Sequence, residues 1–153
     1  MVPVGPHPAA GPQDERQPGR GPRVTVRSSL SALAGAGLAG IGALHLVWAT
    51  GSSWPARTRR DLAQAVTGGD EVPGVIPCVI VGSGLLVAGG VVAGAGGASR
   101  TAGLVRLGVA AGLAARGLVG GTRIAALLGL PGADPRFTTL DQRVYRPLCL
   151  GLA

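Results

Sequence analysis

Between Ser28 and Ala56 the chain carries no charged side chain, and the apolar part of this stretch, Leu30–Ala49, is about 20 residues long. A helix of that length matches the roughly 30 Å hydrocarbon layer of a bilayer. In water it would need a large partner surface, and the chain has little to offer one. Aromatic residues are 3% of 153, and 28 positions are Gly, so few large side chains exist to build a water-excluded core. A second uncharged run covers Val72–Ser99, and charged residues are 14% overall, against about 25% in soluble domains. A mean hydropathy of +0.40 excludes global disorder. No Gly-X-Y period points to a collagen-like helix. These features predict an all-α polytopic transmembrane helix bundle, with three full spans, a short or truncated fourth and a disordered N-terminal tail.

Residues 1–27 hold six prolines, Asp14, Glu15 and four Arg, a composition that cannot bury a face and reads as a disordered basic tail. The membrane bundle is then 28–153, with spans at about 30–49, 75–95, 102–122 and 140–153. The first apolar run exceeds the ~7–15 residues of a signal-peptide core and no clear A-x-A site follows, which favours a retained span. Residues 50–71 are polar, with a weakly patterned interfacial helix around Ala56–Thr67. Pro73 and Pro77 stand at the entrance of span two, where proline is tolerated. The Gly-rich turn at Gly94–Thr101 predicts that spans two and three are antiparallel neighbours. Residues 123–138 read as a loop with Pro131-Gly132 and Asp134-Pro135 as turn signals. Thr139-x-x-Gln142 reads as a capping box for the last helix. Its 14 residues from Leu140 reach about 21 Å, less than a bilayer, and Pro147 biases Arg146 away from helical geometry.

All 14 basic residues are Arg, seven acids leave a net charge of +7, and the charges punctuate the apolar runs instead of clustering on one module. That distribution is juxtamembrane and argues against a nucleic-acid partner. Arg on the two sides of the bundle nearly balance, and the four in the tail (Arg16, Arg20, Arg23 and Arg27) tip the expected orientation towards a cytoplasmic N-terminus. Cys78 and Cys149 form no CxxC and no metal-ligand spacing, and read as buried small hydrophobes. No metal and no cofactor is expected.

Lipid-embedded helices associate through close backbone approach at small residues. Candidate rows are Gly35 and Ala39 in span one, Gly90 and Gly94 in span two, and Gly108 and Gly112 in span three, continued by Gly117 and Gly121. Alternating spans also place the end of span one, the start of span two, the end of span three and the start of segment four on one face. His45, Trp48, Arg116, Asp141, Tyr145 and Cys149 therefore map to that side, with Cys78 and Arg123. Trp48 and Tyr145 read most simply as interface aromatics, and His45 as a ring bonded to a backbone or carboxylate partner. Arg116 is either a site residue or a snorkelling side chain. Asp141 is either its counter-ion or a first-turn acid favoured by the helix dipole. A shallow pocket of His45, Arg116, Asp141 and Tyr145 would suit an anionic head group.

His45-x-x-Trp48-Ala49 closing the first span, Arg116 in the third, and Leu140-Asp141-x-Arg143-x-Tyr145-x-Pro147-Leu148-Cys149-Leu150 opening the last resemble the bacterial membrane proteins called domain of unknown function 3995. The resemblance covers about Leu30–Ala153 and implies a small four-helix, multi-pass protein of the bacterial cell membrane with no established activity. Arg146 stands where the family usually has Ser, and the family's last helix normally runs on beyond Ala153. The favoured functional expectation is a non-enzymatic lipid- or small-ligand-binding module, or an accessory subunit beside a membrane-protein partner or a second copy of itself. The alternative is a small membrane enzyme using the shallow cluster, with thiol redox through Cys78 and Cys149. No inverted repeat supports a transporter.

Overall fold

The computed structural model describes residues 26–127 and 133–153. The expected tail lies outside the described residues apart from Val26 and Arg27, and so does the expected Pro131-Gly132 turn. Among the described residues all regular structure is helical. The elements are α1 (Val26–Ala49), α2 (Arg59–Val66), α3 (Val75–Ala93), α4 (Arg100–Val119), α5 (Gly121–Leu127), α6 (Pro135–Leu140), a π-helical segment (Asp141–Tyr145) and α7 (Arg146–Leu152). Helices α1, α3 and α4 are long and apolar enough to cross a membrane. Fewer than one in five residues of each apolar window is buried inside the molecule, so their outward faces need an apolar surrounding. Leu30, Leu33, Ile76, Ile80, Leu104 and Leu107 all stand exposed on these faces.

Helices α1 and α3 form the closest pair. They run antiparallel, with Gly35 opposite Gly89 and Gly42 opposite Gly82. A Cβ on Gly35 would stand 2.5 Å from the Gly89 carbonyl oxygen, and one on Gly42 would stand 2.8 Å from that of Gly82. Two pairs seven residues apart fall two turns apart on one face, so both helices present glycine at each close approach. Leu38 fills the space between them at 1% exposure.

The expected packing rows therefore need correction. Ala39 does lie at this contact, its backbone N 3.1 Å from where a Gly89 Cβ would be. Gly90, Gly94, Gly108 and Gly112 have nothing within 4 Å of an added Cβ. The contact face of α3 carries 82 and 89, and Gly90 is rotated off it. Gly94 ends α3 at φ +126°.

The Gly-rich turn does bring α4 back beside α3, but the two touch sparingly, and the main neighbour of α4 is α7. Arg106 fixes the turn. It donates to the carbonyls of Val91 (2.9 Å), Gly97 (2.9 Å) and Ala95 (3.3 Å), placing a cation at the C-terminal end of α3 and over the turn that follows. Ser99 caps α4 by accepting from the amide of Ala102.

Span three stops at Val119 and not at Thr122, because Gly120 turns the chain at φ +82° and α5 sets off anew. The loop expected over 123–138 thus contains most of α5 and the start of the last helix. That helix begins at Pro135, with the Asp134 carboxylate accepting from the Arg136 amide at 2.7 Å. An Asp-Pro pair is a helix start as well as a turn signal. Thr139 instead bonds back to the Pro135 carbonyl, so Thr139-x-x-Gln142 is not the cap. From Pro135 to Leu152 the helix is continuous and about 27 Å long by helical rise. Pro147 sits inside it, against expectation. Its ring would crowd the Arg143 carbonyl of a regular α-helix. The π-helical segment widens the turn there, and the amide of Arg146 reaches the Asp141 carbonyl five residues back.

Candidate functional site

The end of α1, α2, the start of α3, the end of α4 and the start of the last helix meet on one face. Helix α2 roofs them. Thr58 opens it, accepting from the Asp61 amide (3.1 Å) and donating to the Asp61 carboxylate (2.8 Å). Its apolar side, Leu62, Ala63 and Val66, recurs at helical spacing and packs with Trp48 of α1 and Cys78 of α3. Three hydrogen bonds fix the roof. Trp48 Nε1 donates to the Trp54 carbonyl (2.7 Å), Tyr145 Oη donates to the Ala65 carbonyl (3.0 Å), and the Asp134 amide donates to the Gly68 carbonyl (3.0 Å).

Beneath the roof lies a cavity of about 430 Å³ between α1 and the last helix. Ile41, Leu44, His45 and Trp48 form one wall, and Leu140, Tyr145 and Leu148 the other. Pro55, Ala56 and Arg136 stand at its outer end. His45 Nδ1 is 2.9 Å from the Ile41 carbonyl, and the imidazole lies 4.9 Å, centroid to centroid, from the Trp48 ring. A carbonyl only accepts, so Nδ1 is the donor in this bond. A second, smaller cavity of about 110 Å³ lies on the other side of Trp48, between α2 and the start of α3.

Arg116 and Asp141 form a separate unit behind this cavity. The Arg116 guanidinium Nη2 is 2.6 Å from Asp141 Oδ1, and the other carboxylate oxygen accepts from the Gly121 amide at 2.9 Å. Asp141 is buried, so its charge is held by that ion pair and a backbone N–H at the helix break. Arg116 Nη1 is buried with no hydrogen-bond partner among the described residues. Next to it, Arg146 donates to the carbonyls of Gly117 and Leu118, closing the C-terminal end of α4. Glycine is required here by space. A Cβ on Gly117 would stand 2.6 Å from Leu150 Cγ, and one on Gly121 would stand 2.7 Å from the Phe137 ring.

The six expected cluster residues thus divide. His45, Trp48 and Tyr145 share the cavity, and Arg116 and Asp141 share the ion pair. Cys149, half-buried on α7, lines neither and is a free thiol. His45 makes no hydrogen bond or ion pair with Arg116 or Asp141, so the single pocket expected from these residues is two sites. Trp48 is 7% exposed, whereas Trp54 is 63% exposed and takes the outward aromatic position. Cys78 is buried and its thiol donates to the Pro73 carbonyl at 3.4 Å, a packing role. Arg136 and Phe137 lie in the last helix and not in the expected loop, and they and the roof residues Leu62, Ala63 and Val66 fall outside the expected cluster. The Asp134-Pro135 start signal and the Leu62/Ala63/Val66 spacing were the clues to them.

The family model described as "Protein of unknown function (DUF3995)" matches residues 38–153. The chain belongs to this family. The matched stretch takes in both cavity walls, the roof and the Arg116–Asp141 pair, so the family resemblance read from the sequence is confirmed. No curated protein and no solved structure matches the chain.

Proposed function

We propose that the protein resides in the bacterial cell membrane as a non-enzymatic binding module, and that the roofed cavity between α1 and the last helix is its ligand site. The observation that carries this reading is the cavity itself. At about 430 Å³ it falls within the range of small-molecule pockets, and its walls are chiefly apolar with a few polar groups. Most of the polar atoms that a catalytic reading would use are already engaged, His45 Nε2 excepted. Trp48 Nε1, Tyr145 Oη and His45 Nδ1 each bond a backbone carbonyl, and the Asp141 carboxylate is held by Arg116 and Gly121. The site therefore holds a shape and offers no free nucleophile–base pair. The basic amino-terminal tail favours a cytoplasmic N-terminus, which puts the cavity on the opposite face.

The test is photo-crosslinking with an alkyl probe carrying a diazirine on its chain, using the full chain in lipid nanodiscs. Saturable labelling of Ile41, Leu44 or Leu148 supports the reading, and Ala65→Phe, which fills the cavity from the roof, should abolish it. Labelling no stronger than on the outward residues Ile76, Ile80 and Val87 overturns it.

A further inference from the structure

The cavity has two chemically different ends. Along the last helix its lining runs from Arg136 to Leu148, about 18 Å of helical rise. Along α1 it runs from Trp48 down to Ile41, about 10 Å towards the middle of the helix. The deep end is Ile41, Leu44 and Leu148. At the outer end a second depression of about 450 Å³, lined by Pro55, Ala56, Arg57, Asp61 and Arg136, shares three residues with the cavity. The apolar cavity thus adjoins a basic depression at its outer end.

The mouth has two cations and one carboxylate. The carboxylate, Asp61, is engaged by the Thr58 hydroxyl within the cap of α2. The guanidinium groups of Arg57 and Arg136 make no hydrogen bond or ion pair with any described residue, unlike that of Arg60, which pairs with Asp70, and that of Arg116, which pairs with Asp141. Two guanidinium forks thus stand unengaged at one rim, a geometry suited to carboxylate or phosphate oxygens.

A bilayer decides which end confers selectivity. Lipid tails are as apolar as the Leu and Ile of the cavity floor, so an alkyl chain gains little by leaving lipid for the cavity. Preference for one amphiphile over another must then arise at the mouth. We infer that the site takes a single-chain amphiphile with an anionic head, carboxylate or phosphate monoester, its chain between α1 and the last helix and its head at Arg57 and Arg136. This rests on the ligand-site reading above and adds the class of ligand. A cavity near the small end of the ligand-pocket range has room for one alkyl chain.

The experiment compares four diazirine-bearing probes of equal chain length in nanodiscs of zwitterionic lipid: a fatty acid, a monoalkyl phosphate, a fatty alcohol and an alkyl trimethylammonium. Each exposed charge contact is worth a few-fold in affinity, so two predict about tenfold tighter half-saturation for the acid or the phosphate than for the alcohol. The trimethylammonium probe should be weakest. In Arg57→Gln/Arg136→Gln the anionic probes should bind no more tightly than the alcohol probe measured on the same variant, and an unchanged circular dichroism spectrum shows that the helices are intact. High salt should narrow the preference. Equal saturable labelling by acid, phosphate and alcohol overturns the head-group inference and leaves the cavity reading standing. Absence of cavity labelling by all four overturns both. Preference for the acid over the phosphate, or the reverse, identifies which anion the mouth selects.

Discussion

Gly89 and Gly90 are neighbours in one helix, yet they should respond oppositely to the same added methyl group. In Gly89→Ala the new Cβ would stand 2.6 Å from the Gly35 carbonyl oxygen and 3.1 Å from the Ala39 amide nitrogen, both backbone atoms that cannot rotate away. Ordinary contact begins at 3.4 Å, so α1 and α3 must part locally by about 0.8 Å. A gap of that size forfeits about a quarter to a half of each contact's dispersion attraction around it. Overpacking of this kind typically costs about 1–3 kcal/mol. In Gly90→Ala the methyl meets nothing within 4 Å. Both variants share the same gain in helix propensity, up to about 1 kcal/mol, so it cancels in the comparison. Gly89→Ala should thus be less stable than Gly90→Ala by about 1–3 kcal/mol. Unfolding in mixed micelles of increasing SDS fraction, followed by circular dichroism, measures the difference. If Gly90→Ala proves as costly as Gly89→Ala, the α1–α3 register is wrong.

Asp141→Asn leaves Arg116 facing a neutral partner at a buried position and should cost about 2–3 kcal/mol in the same titration, somewhat less than full burial because Arg116 is partly exposed. Arg116→Leu/Asp141→Leu should recover part of that loss, and a double variant as unstable as the sum of the singles would contradict an ion pair. Tyr145→Phe removes the bond to the Ala65 carbonyl, about 1 kcal/mol, and should speed hydrogen exchange in α2 selectively. Arg106→Gln removes a donor from the Val91, Ala95 and Gly97 carbonyls, of which Val91 keeps the Gly94 amide, and should cost about 1–2 kcal/mol, with faster proteolysis at Gly94–Ser99 as the readout.

The all-helical architecture with three helices of membrane-spanning length was legible because lipid would impose that length, and an uncharged run of it has few other fates. Where the sequence reading went astray, the deciding information was phase or context. Glycines occur at several phases on α3, and only contact with α1 selects Gly82 and Gly89 over Gly90 and Gly94. Asp134-Pro135 is a turn signal and a helix start alike, and the buried partners of Phe137 decide for the helix. Arg116 and Asp141, far apart in sequence, could be matched by charge and depth. That His45 would face a different wall from theirs depends on where the last helix rotates, which the π-helical segment ahead of Pro147 sets. The roof over His45 and Trp48 was the least legible part, because α2 is only eight residues long and is held by the Tyr145 bond to the Ala65 carbonyl and by packing on Trp48.

The account depends on α1, α3 and α4 crossing a bilayer, with the cavity on the face that holds α2. Single cysteines at Glu71, Ala98 and Thr139, in a chain carrying Cys78→Ala and Cys149→Ala, can be labelled with a membrane-impermeant maleimide in right-side-out and inside-out vesicles. Glu71→Cys and Thr139→Cys should react from one side and Ala98→Cys from the other. Reaction of all three from the same side, or of Glu71→Cys and Thr139→Cys from opposite sides, would contradict it.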